Sequence, residues 1–188
     1  PVKNGGITLC FLIFLSEGAV LDWSALFLVT THGFDPASAG LGYASFALAM
    51  TVGRLMGDKV VMHLGGPRIV IFGGLLGAVG LAVALLANRP LVVLAGFALL
   101  GAGLSNVVPV FFTAAGRQEV MPPSLAVAAI TTMGYAGILL GPAIIGFVAH
   151  LSLLGAGFLM LAVFLCLVAG VGPWAAGTGS RSHPTSTR

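Results

Sequence analysis

Charged side chains are scarce in this sequence. Only 7% of its 188 residues are Asp, Glu, Lys or Arg, whereas 58% are hydrophobic, and the mean hydropathy is +1.10. A soluble domain carries about a quarter charged residues, because its surface must face water. The shortage of charge therefore excludes an ordinary water-soluble globule and indicates a protein whose surface mostly faces lipid.

Cysteine is scarce as well. The two cysteines, Cys10 and Cys166, lie inside apolar runs, where they are expected to behave as small hydrophobic side chains. Their placement offers neither a disulfide framework nor the spacing of a zinc site. The sequence therefore predicts no metal site and no cofactor.

The residue sets of membrane-embedded enzymes are also missing. Such enzymes need paired catalytic aspartates, a Ser–His pair or metal ligands within the bilayer. Ser105 is followed by Asn, not by the Gly of rhomboid-like proteases, and Leu55 stands where an aspartyl protease would need the first Gly of Gly-x-Gly-Asp. The histidines at positions 32, 63 and 150 lie in predicted loops and do not cluster. An enzyme is therefore not expected, although it remains one alternative.

What the sequence has in quantity is long apolar segments. Each approaches the ~20 residues that a helix needs to cross a bilayer, and none alternates as the strands of a membrane β-barrel would. The six segments are Gly6–Thr30, Pro36–Met56, Ile69–Ala87, Leu91–Phe112, Ser124–Val148 and Ser152–Gly172. They predict an all-α polytopic membrane protein with six transmembrane helices.

The domain boundaries follow from these segments. The six-helix bundle is predicted to cover residues 1–172, and residues 173–188, polar from Gly177 onward, are predicted to form a disordered cytoplasmic tail. The chain begins with Pro1, and its first apolar segment contains Glu17 and Asp22, unlike a secretory signal. We therefore expect the chain to be cut from a longer protein.

Basic residues indicate the orientation. With the N-terminus in the cytoplasm, all the Lys and Arg residues except Arg89 fall on the cytoplasmic side. Both termini are then cytoplasmic. The formal net charge of +3 needs no nucleic-acid partner, because basic residues in short loops meet anionic lipid headgroups.

Glycines and prolines suggest how the helices pack. Three glycine pairs have the four-residue spacing that lets helix backbones touch: Gly53 with Gly57, Gly73 with Gly77, and Gly137 with Gly141. Pro109 and Pro142 each remove one backbone donor inside a predicted helix. They are expected to kink it, either as hinges or for packing alone.

Glu17 is the most informative polar residue. It lies near the middle of the first predicted span, where burying an ionised carboxylate costs at least about 2.5 kcal/mol. It must therefore face a cavity, find a partner or stay protonated. A role in proton or substrate transport is one reading, and a fixed pair with a basic group is the other.

Five further residues are predicted to line a path with Glu17: Asp22, Trp23, Asn106, Thr131 and Tyr135. Asp22 is turned by about 140° from Glu17 on the helix, so the two do not form a catalytic pair. Thr131 and Tyr135 share a face at four-residue spacing. All five have structural alternatives, since Asp22 and Trp23 can serve as gate and interfacial anchor and the others can hold helices together.

The segment after the second span is predicted to form a cytoplasmic charge latch. Its acid can cap a helix and its bases can bind oxygens of a neighbouring helix. The latch residues are Gly53, Arg54, Gly57, Asp58, Lys59, Gly65 and Arg68. Positive-inside bias alone would explain Lys59 and Arg68, but not Asp58.

This segment resembles the signature of major facilitator superfamily (MFS) transporters, which recurs between their second and third and their eighth and ninth helices. Gly53, Asp58, Lys59, Gly65 and Arg68 match it in order. The distance from Asp58 to Gly65 is longer than in the commonest form, and only one base follows Gly65.

Three other stretches extend the resemblance to roughly residues 5–172. They are Glu17–Ser24, Asn106–Pro109 and Gly134–Pro142. They are similar to helices seven, ten and eleven of the rhizopine-transporter-like and fucose-permease-like bacterial branch.

The resemblance implies the C-terminal half of a twelve-helix transporter in the bacterial inner membrane, with two inverted three-helix repeats. Its partners would be the lipid bilayer, a small polar solute, protons as an open possibility, and an N-terminal half. A sensor or scaffold with the transporter fold remains an alternative function.

Overall fold

The computed structural model describes residues 5–117 and 122–176, and these residues are helical almost throughout. A one-turn 3-10 helix, Pro36–Ser38, precedes the second α-helix. The α-helices are α1 Gly5–His32, α2 Leu41–Leu55, α3 Gly57–Leu64, α4 Gly66–Leu86, α5 Pro90–Leu104, α6 Val107–Gly116, α7 Pro123–Leu151 and α8 Leu154–Ala176. The predicted all-α class is confirmed for the described residues.

Five helical segments in the described residues are long and apolar enough to cross a membrane. They are Gly5–His32, Gly66–Leu86, Pro90–Gly116, Pro123–Leu151 and Leu154–Ala176. Each corresponds to a predicted span, and together they make this a multi-pass membrane protein. The remaining predicted span, Pro36–Met56, is represented by α2.

Helix α2 is too short to qualify alone. Its 15 residues would extend roughly 22 Å, against about 30 Å of hydrocarbon. The backbone bonding nevertheless continues into α3, because the Met56 amide donates to the Val52 carbonyl and the Val60 amide to the Met56 carbonyl, both at 3.2 Å. Helix α3 ends at Leu64, and Gly65 follows with a φ of +74°, a backbone conformation that suits glycine.

Backbone contact between α1 and α7 is made possible by glycine. A Cβ atom on Gly18 would lie 2.6 Å from the Ile138 carbonyl oxygen, and one on Gly141 would collide with the Leu15 carbonyl oxygen. Ile138 is the residue whose carbonyl Pro142 leaves without its helical donor. The predicted Gly137–Gly141 pair therefore lies in a helix interface, against α1.

Glycine also allows close backbone contact between α4 and α5. A Cβ on Gly80 would lie 2.6 Å from the Gly96 carbonyl oxygen, and the reverse distance is also 2.6 Å. Gly73, half of another predicted pair, faces the Gly103 carbonyl of α5, while Gly77 faces leucine side chains of α5 and α8. These contacts place α4 between α5 and α8.

The two ends of the described chain lie at one face of the bundle. A Cβ on Gly6, at the start of α1, would be 3.9 Å from the Cβ of Ala175, near the end of α8. Helix α8 continues to Ala176, with Pro173 inside it. The bundle thus extends four residues past the predicted boundary at 172, and the rest of the predicted tail lies outside the described residues.

Candidate functional site

An ion pair joins the middle of α1 to the end of α2. A guanidinium nitrogen of Arg54 lies 3.8 Å from the Glu17 Oε1 atom. The Glu17 side chain is 14% exposed and that of Arg54 48%. Glu17 Oε1 is buried and accepts no hydrogen bond from the described residues. The contact is therefore loose, and the carboxylate oxygen keeps its capacity to bind a proton or a donor group.

This pair unites two predicted groups of residues. Glu17 is predicted as a path residue, and Arg54 as part of the cytoplasmic latch. A basic partner is one of the alternatives that the sequence leaves open for Glu17, and Arg54 supplies it. The pairing does not decide between a fixed ion pair and a transport site, because an exposed cation can move away from its partner.

Asn106 and Ser105 form a polar junction, a pair of hydrogen-bonded side chains in contact with the end of α2. They occupy the break between α5 and α6, where the Asn106 amide nitrogen donates to the Gly53 carbonyl oxygen at 2.9 Å and to the Ser105 hydroxyl at 3.0 Å. Ser105 donates to the Ala102 carbonyl at 2.7 Å. The predicted contact of Asn106 with substrate stays a prediction, since its donors serve the protein itself.

Pro109 explains why the helix breaks there. It is the third residue of α6, so its missing donor falls among the first amides of a helix, which have no partner in the helix. A continuous helix would have required that donor for Ser105. The helix is interrupted at Ser105 and Asn106, just before Pro109, and the kink expected at Pro109 stays a prediction.

Trp23 connects α1 to Pro142 on α7. Its indole nitrogen donates to the Pro142 carbonyl oxygen at 2.9 Å, and its ring covers Gly146, where a Cβ would lie 2.9 Å from a ring carbon. Asp22, the preceding residue, is exposed. Trp23 therefore ties α1 to α7, whereas the side chain of Asp22 is exposed at the surface of the bundle.

Thr131 and Tyr135 lie on α7, away from the Glu17–Arg54 pair in the sequence. Thr131 donates to the Val127 carbonyl of its own helix at 2.8 Å. Tyr135 is 63% exposed. Their predicted roles in a solute path remain predictions.

The signature segment is largely helical instead of forming a loop. Helix α3 carries Asp58 in its first turn, where a carboxylate is favourable for the helix dipole. Asp58, Lys59 and Arg68 are exposed. Within the described part of the chain, the one ion pair is Arg54–Glu17, so the predicted latch contacts of Asp58 remain to be tested.

The amino-acid sequence is similar to those of known membrane proteins. No family profile matches the chain. The chain is 54% identical over 161 residues to an uncharacterized MFS-type transporter of Yersinia pestis, covering 86% of this chain and 42% of that protein. Membrane protein MosC of Rhizobium meliloti is 34% identical over 161 residues, covering 86% of this chain and 40% of MosC.

A third relative supports the same assignment. Uncharacterized transporter y4wD of Sinorhizobium fredii is 33% identical over 176 residues, covering 92% of this chain and 47% of y4wD. The chain belongs to the MFS-type transporter family. It spans less than half the length of the curated relatives it matches.

Two features of this MFS-type chain are not predictable from its sequence. Gly18 admits the Ile138 carbonyl of α7, but a glycine inside an apolar run carries no signal of its partner. Ser24 is fully buried, and its hydroxyl has no hydrogen-bond partner in the described residues. Its position next to Trp23, in the stretch that resembles transporter helix seven, is the only hint that the sequence offers.

The Trp23 hydrogen bond gives this MFS-type chain a testable α1–α7 tie. Trp23→Phe is expected to lower the free energy of unfolding in detergent by about 1 kcal/mol, the net worth of one hydrogen bond. Trp174→Phe is the matched control, because Trp174 is 74% exposed on α8 and should change stability little. Equal effects of the two substitutions would contradict a special role for the Pro142 contact.

Proposed function

We propose that this chain is the C-terminal six-helix half of a secondary transporter that moves a small polar solute by alternating access, with Glu17 as a proton or substrate site. The observation that carries the proposal is the Glu17 carboxylate near mid-helix, with one buried oxygen that accepts no hydrogen bond from the described residues. The cation beside it, Arg54, is about half exposed. Such a carboxylate can exchange a proton or a donor group for the cation during a cycle.

Six crossings are part of the proposal. Five spans qualify by length and composition, yet the contact between Gly6 and Ala175 puts both ends of the described chain at one face. An even number of crossings is needed for that, and α2 continued by α3 is the natural sixth. With the positive-inside bias, both termini would face the cytoplasm of a bacterial inner membrane.

A second six-helix unit would complete the pathway. Of the candidate spans in the described residues, α7 is the most open, since 22% of an apolar 18-residue stretch of it is buried, against 39–61% for the others. Tyr135 and Thr131 lie on α7 and Asp22 on α1, so these helices would supply this half's wall of the path. The shorter length of the chain compared with its relatives supports a second unit within the same polypeptide.

A sensor or scaffold that binds a solute without moving it is the second candidate. The fold alone does not decide between the two functions. The specific observation in its favour is the Asn106 and Trp23 hydrogen bonding, which ties the helices to one another. An enzyme is the third and weakest reading, since the relatives named by activity are transporters.

Solute uptake into proteoliposomes tests the proposal. The purified full-length protein would be given a panel of radiolabelled sugars, polyols and amines, with uptake and equilibrium binding measured in parallel. Saturable uptake of one class would support transport. Binding without uptake would favour the sensor.

A separate test is the gene sequence upstream of Pro1. Read in frame, it should encode six further apolar spans.

A further inference from the structure

Asn106 turns its side chain away from the helix that it begins. It is the N-cap residue of α6 but makes no side-chain capping bond there, although asparagine is among the best capping residues. Its amide nitrogen instead reaches the Gly53 carbonyl oxygen on α2, 53 positions away in the sequence. The side chain is only 8% exposed, so water offers little competition for this bond.

Two glycines, Gly53 and Gly57, leave the space into which Ser105 and Asn106 pack. A Cβ atom on Gly53 would collide with the Ser105 hydroxyl, and one on Gly57 would collide with the Asn106 side-chain oxygen. The Gly53–Gly57 spacing therefore does more than bring two backbones together. It makes room for a pair of polar side chains from the α5–α6 break.

The Asn106 hydrogen bond is made to Gly53, the residue immediately before Arg54. Among the hydrogen bonds of the described residues, Asn106 to Gly53 is the one side-chain bond that ties α2 to another helix. Arg54 has no hydrogen bond to Glu17, only the 3.8 Å contact. Such a loose contact cannot fix the end of α2, whereas the partly buried amide–carbonyl bond can.

We infer that Asn106 is a positioning residue, which holds the end of α2 through the Gly53 carbonyl and so keeps Arg54 beside Glu17. Its importance for solute movement rests on the proposed function, but its effect on the position of Arg54 does not. In this account Asn106 acts through Arg54 and needs no contact with solute. The proposal therefore gives Asn106 a role different from the substrate contact predicted for it.

Cross-linking measures the position directly and needs no substrate. Cysteines would replace Glu17 and Arg54 in the full-length protein with Cys166→Ala, and a short bis-methanethiosulfonate reagent would join them. Asn106→Asp keeps the side-chain shape but replaces the donor with an oxygen facing the Gly53 carbonyl. We expect it to slow cross-linking about tenfold, because the rate of such a joining step depends steeply on the placement of its two ends.

A second cysteine pair reports on the integrity of the bundle. Gly6→Cys with Ala175→Cys is suitable, because their Cβ atoms would be 3.9 Å apart, close to disulfide geometry. Its oxidation rate should be unchanged by Asn106→Asp. An unchanged 17–54 rate in that variant would overturn the proposal, whatever the transport assay shows.

Loss of both cross-links would mean that Asn106→Asp has disrupted the fold. Asn106→Ser then decides, since it is smaller, uncharged and too short to reach Gly53 in the same way. Slow 17–54 cross-linking with an intact 6–175 pair supports the positioning role, and normal 17–54 cross-linking refutes it. If Asn106→Ser also loses the 6–175 pair, Asn106 holds the whole bundle and the specific claim about Arg54 is refuted.

Discussion

Replacing Glu17 with glutamine is expected to abolish uphill accumulation of solute while leaving the amount of folded protein in the membrane unchanged. Glutamine keeps the size and a hydrogen-bonding capacity of the side chain, but it neither carries the charge nor exchanges a proton. Folding should survive because the partner, Arg54, is 48% exposed. A cation that reaches water does not become an uncompensated buried charge.

Two transport measurements separate the proton role of Glu17 from the substrate role. Accumulation against a gradient needs the driving ion, whereas exchange of labelled for unlabelled solute at equal concentrations does not. A proton site predicts loss of accumulation with exchange retained, and a substrate site predicts loss of both. Normal uphill uptake by Glu17→Gln would refute both roles.

The matched control is Asp35→Asn. Asp35 is also acidic, but it caps the 3-10 helix by accepting a bond from the Ala37 amide at 2.8 Å. It lies in the connection between α1 and α2. Asparagine caps helices about as well as aspartate, so this variant should keep normal accumulation. A loss as large as that of Glu17→Gln would point to a general effect of removing negative charge.

The second large effect is expected at the α1–α7 contact. Gly141→Ala should lower the free energy of unfolding by about 2 kcal/mol, within the usual cost of overpacking. The added methyl group would collide with the Leu15 carbonyl oxygen and approach the Ala19 amide nitrogen to 3.3 Å. Because these neighbours are backbone atoms, no side-chain rotation can relieve the collision.

Gly170→Ala is the control for this substitution. Gly170 lies on α8, and a Cβ atom added to it would have no neighbouring atom within 4 Å. Alanine is a better helix former than glycine by roughly 1 kcal/mol, so this variant should be as stable as the parent or slightly more stable. Thermal unfolding of both variants in one detergent tests the pair, and equal stability of the two would contradict the close α1–α7 packing.

The helical segments can be predicted from the sequence because lipid imposes a strong constraint on the chain. Each crossing needs about 20 apolar residues with their backbone bonds satisfied internally. Predicted Ile69–Ala87 therefore corresponds closely to observed Gly66–Leu86. The charge-latch segment between the predicted spans Pro36–Met56 and Ile69–Ala87 is predicted as a connection, yet its residues Gly57–Leu64 form helix α3.

The partners of the polar residues cannot be predicted in the same way. Glu17 stands out in the sequence because a carboxylate inside an apolar run is costly. Its proximity to Arg54 depends on how α1 and α2 pack, which the periodicity of neither helix specifies. The bond from Asn106 to Gly53 likewise needs both the break between α5 and α6 and the absence of side chains at Gly53 and Gly57.

The most direct test of this account is accumulation of solute in proteoliposomes under an imposed pH gradient, with the full-length protein and its Glu17→Gln variant compared at equal protein content. The solute would be the one identified by the uptake panel. We expect the wild-type protein to concentrate it above the external level and the variant only to equilibrate it or to leave it outside. Equal accumulation by both proteins would contradict a transport role for Glu17.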